Sequence, residues 1–228
     1  MSRQATIDHL RANHPQLTIG TLTTDDQLEA VQILRDHQIP LLHIDIMDGQ
    51  VWPKATVGPE FLSQLGSALL KDVHLLVAEP EVHIPLFTQA GADLISFSIE
   101  YSKDIAHCLQ LITDGGDQIL RGVSLNPDTD LALIQPHLAD IDFVILLAIG
   151  PETGKETFFD TLPAKVKQLR EWKPELLITI DGAIKKDNVG EVAKMGSDFI
   201  ATGSAVFDGV DPAANITFMK GEIASAQA

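Results

Sequence analysis

Cysteine is almost absent from this chain. The single Cys108 excludes an intrachain disulfide and fits a reducing compartment, so a cytoplasmic location is expected. Cations are scarce too: 16 Lys and Arg stand against 32 Asp and Glu, a net charge of −16. That balance argues against nucleic acid or an anionic membrane surface as a partner. It also means that an anionic substrate needs a locally positive site. No apolar run reaches the roughly 20 residues that span a bilayer. The polar start Met1-Ser2-Arg3-Gln4-Ala5 leads into no apolar stretch of the kind a secretory leader needs. Linkers, low-complexity tracts and blocks of like charge are also missing, so residues 1–228 are read as one domain. A hydrophobic content of 45% is ample for its core.

Short apolar segments alternate with amphipathic ones. Strands are expected at Leu17–Leu22, Leu41–Ile46, Val73–Val77, Leu94–Ser98, Gly122–Leu125, Phe143–Ile149, Leu177–Ile180 and Phe199–Thr202. Helical periodicity covers Gln27–His37, Phe61–Leu70, Leu162–Trp172 and Val189–Met195, and Cys108 falls on a helix around Ala106–Ile112. Repeated βα units imply a parallel sheet. Eight of them without a composition break predict an α/β fold of the closed (β/α)8 barrel, or TIM barrel, type.

The segment His43-Ile44-Asp45-Ile46-Met47-Asp48-Gly49 places an imidazole and a carboxylate two apart in an apolar strand. Strand side chains alternate, so His43, Asp45 and Met47 share one face. A carboxylate buried there needs compensation. A metal ion provides it, and His with Asp suits Zn²⁺, Fe²⁺ or Mn²⁺; a His–Asp hydrogen bond without metal is the alternative. Asp72-Val73-His74-Leu75-Leu76-Val77 embeds a second histidine, and Leu177–Ile180 runs into Asp181-Gly182. Two imidazoles and two carboxylates at strand ends suffice for a four-ligand site at the C-terminal mouth of a barrel.

His43 to Gly49 with Val51-Trp52-Pro53-Lys54-Ala55-Thr56-Val57-Gly58-Pro59 resembles a signature of the ribulose-phosphate 3-epimerase family. So do Asp72–Val77 with Pro80-Glu81, Ala90-Gly91-Ala92-Asp93, Gly122–Thr129, Ile180-Asp181-Gly182 and Thr202–Phe207. The resemblance runs from about Leu17 to Phe207 and implies a ribulose-phosphate-binding barrel. It also implies a metal-dependent isomerase of the pentose phosphate type, epimerising a phosphorylated ketose at C3. His43, Asp45, His74 and Asp181 are then the ligands of one divalent ion. Asp45 and Asp181 are the acid/base pair, exchanging roles on opposite substrate faces. Asp48, opposite in strand phase, shapes the loop instead. The family's habit of oligomerising implies a homo-oligomer.

The same comparison places substrate and phosphate contacts at Gly20, Met47, Gly154, Lys155, Gly182, Ala183, Gly203 and Ser204. Backbone N–H groups and a short helix N-terminus after strands seven and eight are expected to hold the anion. Several of these positions depart from the family. Gly20 stands where a serine is usual, with Thr21 or Thr23 as other hydroxyl sources, and Ser98 stands where a histidine is usual. Leu76 and Leu147 replace methionines, Ala183 replaces a glycine, and Gly150–Glu156 replaces a glycine-rich loop. These changes line the substrate cavity, so ribulose 5-phosphate competes with longer ketose 6-phosphates as the expected substrate. A catalytically silent sugar-phosphate-binding relative and a barrel lyase or decarboxylase are the alternatives; the latter wants a lysine beside the aspartates, where Ile46-Met47 offers none.

Overall fold

Apolar strands of four to seven residues bury both faces only when helices cover the outside of their sheet. The computed structural model describes residues 1–12, 16–24, 26–66, 69–151 and 157–227. In chain order its elements are α1 (Arg3–Arg11), β1 (Gln16–Gly20), α2 (Gln27–Asp36), β2 (Leu41–Met47), α3 (Pro59–Gln64), β3 (Leu70–Leu76), α4 (Pro80–Gln89), β4 (Leu94–Ser98), α5 (Ile105–Gly115), β5 (Leu120–Leu125), β6 (Phe143–Leu147), α6 (Leu162–Trp172), β7 (Leu177–Asp181), α7 (Val189–Ala193), β8 (Phe199–Thr202) and α8 (Pro212–Ala226). All eight strands pair in parallel with their sequence neighbours, and β1 pairs β8 from Gln16↔Phe199 to Ile19↔Thr202, closing a TIM barrel. Short 3-10 turns at Leu131–Leu133 and Gln135–His137 stand between β5 and β6. No helix among the described residues is long and apolar enough to cross a membrane.

Several expected elements shift at their ends. The helix predicted over Phe61–Leu70 runs from Pro59 to Gln64, because proline suits a first helical turn and Leu70 already pairs in β3. The first strand ends at Gly20, which leaves Leu22 and Thr23 in the loop over the mouth.

Side-chain alternation divides the core. Ile44, Ile46, Val73, Leu75, Ile178 and Ile180 point outward and are buried under the helices. Leu41, Leu94, Leu120, Phe143, Leu177 and Phe199 point inward at the N-terminal end, where Leu10 of α1 joins them as a plug. Gly122 is required here, since a Cβ would overlap the Phe143 ring. One layer above the plug, inward positions turn polar: His43, Asp72, Ser96 and Thr179 are all buried.

The strand starts carry a repeated device. Asp93, Asp142 and Asp198 each precede an even-numbered strand by one residue. Each donates its N–H to the strand before it: to the carbonyls of Lys71 (3.0 Å), Arg121 (2.8 Å) and Ile178 (2.8 Å). In return the same three residues donate their N–H groups to the aspartate carboxylates at 2.9, 2.9 and 2.7 Å. These paired bonds lock the register that positions the opposite end.

Candidate metal centre and active site

The β2–β3 register builds the site. His43 lies beside Asp72 and Asp45 beside His74, so imidazole and carboxylate alternate along both strands on the inward face. A slip of one residue in either strand would send that strand's pair outward. From across the mouth, β7 contributes its last residue, Asp181, with only β8 and β1 between it and β2.

His43 Nε2 lies 3.1 Å from Asp45 Oδ1 and 3.5 Å from Asp181 Oδ2. His74 Nδ1 lies 3.0 Å from the same Asp45 oxygen and 3.6 Å from the same Asp181 oxygen. The potential ligand atoms of the four residues all fall within 4.8 Å of one another. Both imidazoles are sealed in, at 2% and 0% side-chain exposure, whereas Asp45 and Asp181 keep 21% and 16%. The carboxylates therefore form the accessible surface of the cluster.

Electrostatics show how much positive charge this centre calls for. Burial opposes charging either imidazole, but the Asp45 and Asp72 charges and hydrogen bonds to Asp181 and Asp45 raise His43 well above the ordinary histidine range. His74 is raised likewise, burial being outweighed by Asp181 and Asp45. Burial pushes both carboxyls up, yet the histidines hold Asp45 and Asp181 below the usual carboxylate range. Two nitrogens and two carboxylate oxygens converging on one point fit a divalent transition metal, whose charge would replace those imidazole protons.

Asp72 is a site residue that motif reading missed. Its buried carboxylate accepts a hydrogen bond from His43 Nδ1 at 2.8 Å, leaving Nε2 to face Asp45 and Asp181. Outer partners of this kind fix the orientation of a ligating imidazole. The signal was in the sequence: Asp72 stands two before His74, on the same strand face.

Asp48 is occupied differently. Its Oδ2 accepts from the Ala78 N–H and its Oδ1 from the Gln50 N–H, both at 2.9 Å. It ties the loop after β2 to the loop after β3. Thr56 secures the same loop: its hydroxyl donates to the Asp45 carbonyl at 2.8 Å and accepts from the Met47 N–H at 2.9 Å.

A cavity of about 220 Å³ opens beside the carboxylates. Gly20, Met47, Gly182, Ala183, Gly203 and Ser204 line it together with His43, Asp45 and Asp181. Gly182 and Ala183 both take positive φ, at 99° and 55°. Left-handed backbone is uncommon for alanine, and the hydrogen bond from Asn188 Nδ2 to the Ala183 carbonyl (3.1 Å) braces it. Where a short helix was expected after β8, Gly203–Phe207 instead forms a hydrogen-bonded turn, the Val206 and Phe207 N–H groups both reaching the Gly203 carbonyl. Gly154 and Lys155 lie outside the described residues. Ser98 Oγ meets Ser124 Oγ at 3.2 Å inside the barrel, and Leu76 and Leu147 join the inward apolar cluster. The cavity wall also holds Thr23, one of the expected alternative hydroxyls, together with Leu22 and Lys54, which motif reading had not assigned to it.

Comparison with known proteins agrees with this architecture. The family model described as the ribulose-phosphate 3 epimerase family matches residues 17–207. Ribulose-phosphate 3-epimerase of Aquifex aeolicus is 36% identical over 192 residues, covering 82% of this chain and 86% of that protein. The Bacillus subtilis ribulose-phosphate 3-epimerase is 33% identical over 187 residues, covering 79% and 85%. Among solved structures, KGPDC from Streptococcus mutans superposes with a TM-score of 0.73 at 18% identity, over 94% of this chain and 99% of that one, a likeness of fold alone. With a match this long and relatives this similar, the chain belongs to the ribulose-phosphate 3-epimerase family of isomerases.

Proposed function

We propose that this chain epimerises a phosphorylated ketose at C3, with Asp45 and Asp181 as its two acid/base groups. A single divalent ion, Zn²⁺, Fe²⁺ or Mn²⁺, would be held by His43, Asp45, His74 and Asp181. The observation that carries this reading is the convergence of two imidazoles and two partly exposed carboxylates on one point beside a cavity. When bound, the ion would supply charge that offsets the negative charge developing on the substrate's C2 oxygen. One carboxylate takes the C3 proton, and the C–H electron pair becomes the C2–C3 double bond as charge moves to the C2 oxygen. The other carboxylate returns a proton to C3 from the opposite face. Asp45 and Asp181 enter the mouth from separate sides, and among the described residues neither has its side-chain oxygens committed to backbone N–H groups. The sealed imidazoles hold the carboxylates in place.

The backbone turns at Gly182-Ala183 and Gly203-Ser204 are read as the cradle for the phosphate. A Cβ on Gly20 would meet nothing nearer than the His43 carbonyl, at 3.6 Å, so the missing serine leaves open space on the cavity wall. That space favours a longer ketose 6-phosphate, such as allulose 6-phosphate, beside ribulose 5-phosphate. Residues 1–228 are read as one domain, working in the cytoplasm as a homo-oligomer.

Protein purified without chelator should hold about one transition metal ion per chain by elemental analysis. It should exchange the C3 proton of a ketose phosphate with deuterium from solvent. Undiminished turnover by metal-free protein in EDTA would overturn the mechanism.

A further inference from the structure

We propose that Lys54 is the residue by which this pocket selects phosphorylated over unphosphorylated substrates, its ammonium group pairing with the substrate's phosphate. The inference rests on the ketose-phosphate reading above and adds to it the side chain that recognises the anion. Among the described residues lining the cavity, Lys54 is the one lysine or arginine. It faces a wall bearing Asp45 and Asp181, in a chain of net charge −16. A dianionic phosphate entering that field needs a cation of its own.

The ammonium is free to serve. Lys54 is exposed and forms no ion pair among the described residues; the one hydrogen bond of its ammonium among them is a long 3.4 Å contact to the Leu22 carbonyl on the cavity rim. By contrast, other lysines near the mouth are engaged. Lys186 pairs with Asp208 at 2.7 Å, Lys185 donates to the Ser204 hydroxyl, and Lys165 donates to the Pro127 carbonyl at 2.6 Å.

The backbone beneath Lys54 is also fixed. Its N–H donates to the Trp52 carbonyl at 2.7 Å, and the next residue, Ala55, bridges Asp48 in antiparallel fashion. A long flexible side chain is thereby mounted on a tied loop. Exchanging a weak carbonyl contact for a phosphate oxygen requires only rotamer changes, and a charge-assisted bond is the stronger of the two.

The test compares Lys54→Met, Lys54→Arg, Lys155→Met and Lys185→Met with the parent protein. Two readouts are needed: steady-state kinetics, and calorimetric binding of ribulose 5-phosphate and of inorganic phosphate. Losing one hydrogen bond to a charged group corresponds to roughly a 10- to 100-fold weakening. Lys54→Met is expected to raise KM and Kd for ribulose 5-phosphate by about that factor with kcat changed less than about 3-fold, since the contact is made equally in ground and transition states. Its Kd for inorganic phosphate should rise in parallel, unphosphorylated ribulose should be handled as by the parent, and Lys54→Arg should recover most of the loss. Parent-like phosphate binding by Lys54→Met, or a loss confined to Lys155→Met or Lys185→Met, would overturn the assignment. If the parent exchanges no C3 proton on any ketose phosphate, the functional reading falls; the binding arm still decides the role of Lys54.

Discussion

Aspartates stand at both ends of this barrel, and what each end offers them separates structure from chemistry. At the N-terminal end, the carboxylates of Asp93, Asp142 and Asp198 each accept a hydrogen bond from a backbone N–H of the preceding strand. Asp142 and Asp198 add Arg121 at 3.1 Å and Arg170 at 2.6 Å. At the C-terminal end, the side chains of Asp45 and Asp181 bond, among the described residues, only to the imidazoles of His43 and His74. A carboxylate held by fixed N–H donors takes up a proton or a cation less readily. One facing only titratable rings keeps the capacity to do so. Position on the barrel matters because it sets which donors are within reach.

The sharpest way to test this division is to neutralise one aspartate at each end. Asp181→Asn, and separately Asp45→Asn, should lower C3 epimerisation by about 10²- to 10⁴-fold, the usual worth of a general acid or base. Either protein should remain folded by circular dichroism. Asp198→Ala should do the reverse. It leaves the Ile178 N–H without its acceptor and Arg170 without its carboxylate partner, at a cost of about 3 kcal/mol. In a chain of this size that lowers Tm by roughly 6–12 °C. Its kcat at a permissive temperature should stay near the parent's. A stable but inactive Asp198→Ala, or an unfolded Asp181→Asn, would break the comparison.

Much of this contrast was legible in the sequence, for physical reasons. A parallel barrel demands fully apolar strands, so β4 and β8 fall on their expected boundaries, as does α6. His43, Asp45 and His74 stood out because a polar group in such a strand needs an explanation. Alternation separated His43, Asp45 and Met47 from Ile44 and Ile46, and the structure puts Met47 against the inward cluster and the two isoleucines in the outward one. What escaped notice depends on neighbours in space. Asp72 acquires its role only through the register that sets it beside His43. Lys54 enters the cavity through the path of a loop, which no periodicity encodes. Helix α1 carries only Thr6 and Leu10 as buried residues, too few to give a helical stripe, and its sealing role appears only once the barrel has closed.

Asp72 tests the comparison from inside the site, since it is buried like Asp198 yet bonds to an imidazole of the candidate metal centre. Asp72→Ala should weaken metal affinity about 10- to 100-fold, the usual effect of removing an outer partner of a ligating imidazole. Competition against a fluorescent chelator measures this directly. Asp72→Asn, which retains an acceptor for His43 Nδ1, should recover part of the loss. Unchanged affinity in Asp72→Ala would show that packing alone orients His43.

The smallest expected effect belongs to Asp48, which lies at the C-terminal end but has the bonding seen at the N-terminal one. If bonding rather than location decides the role, Asp48→Asn should lose less than about 10-fold in kcat/KM, far less than Asp45→Asn. It should also lose under about 1 kcal/mol of stability, because the group is partly exposed. The sign of the pH dependence follows from its environment. Burial pushes the Asp48 carboxyl up, but the N–H groups of Ala78 and Gln50 pull it further down, below the usual carboxylate range. A carboxyl whose folded-state value lies below its unfolded value of about 3.9 stabilises fully above that pH and loses the contribution as pH falls through the folded-state value. The Tm gap between parent and Asp48→Asn should therefore be constant from neutral pH down to about pH 5 and close on further acidification. An inactive Asp48→Asn, beside an Asp45→Asn that turns over normally with metal bound, would exchange the roles of the two residues and show that location, not bonding, had been the guide to follow.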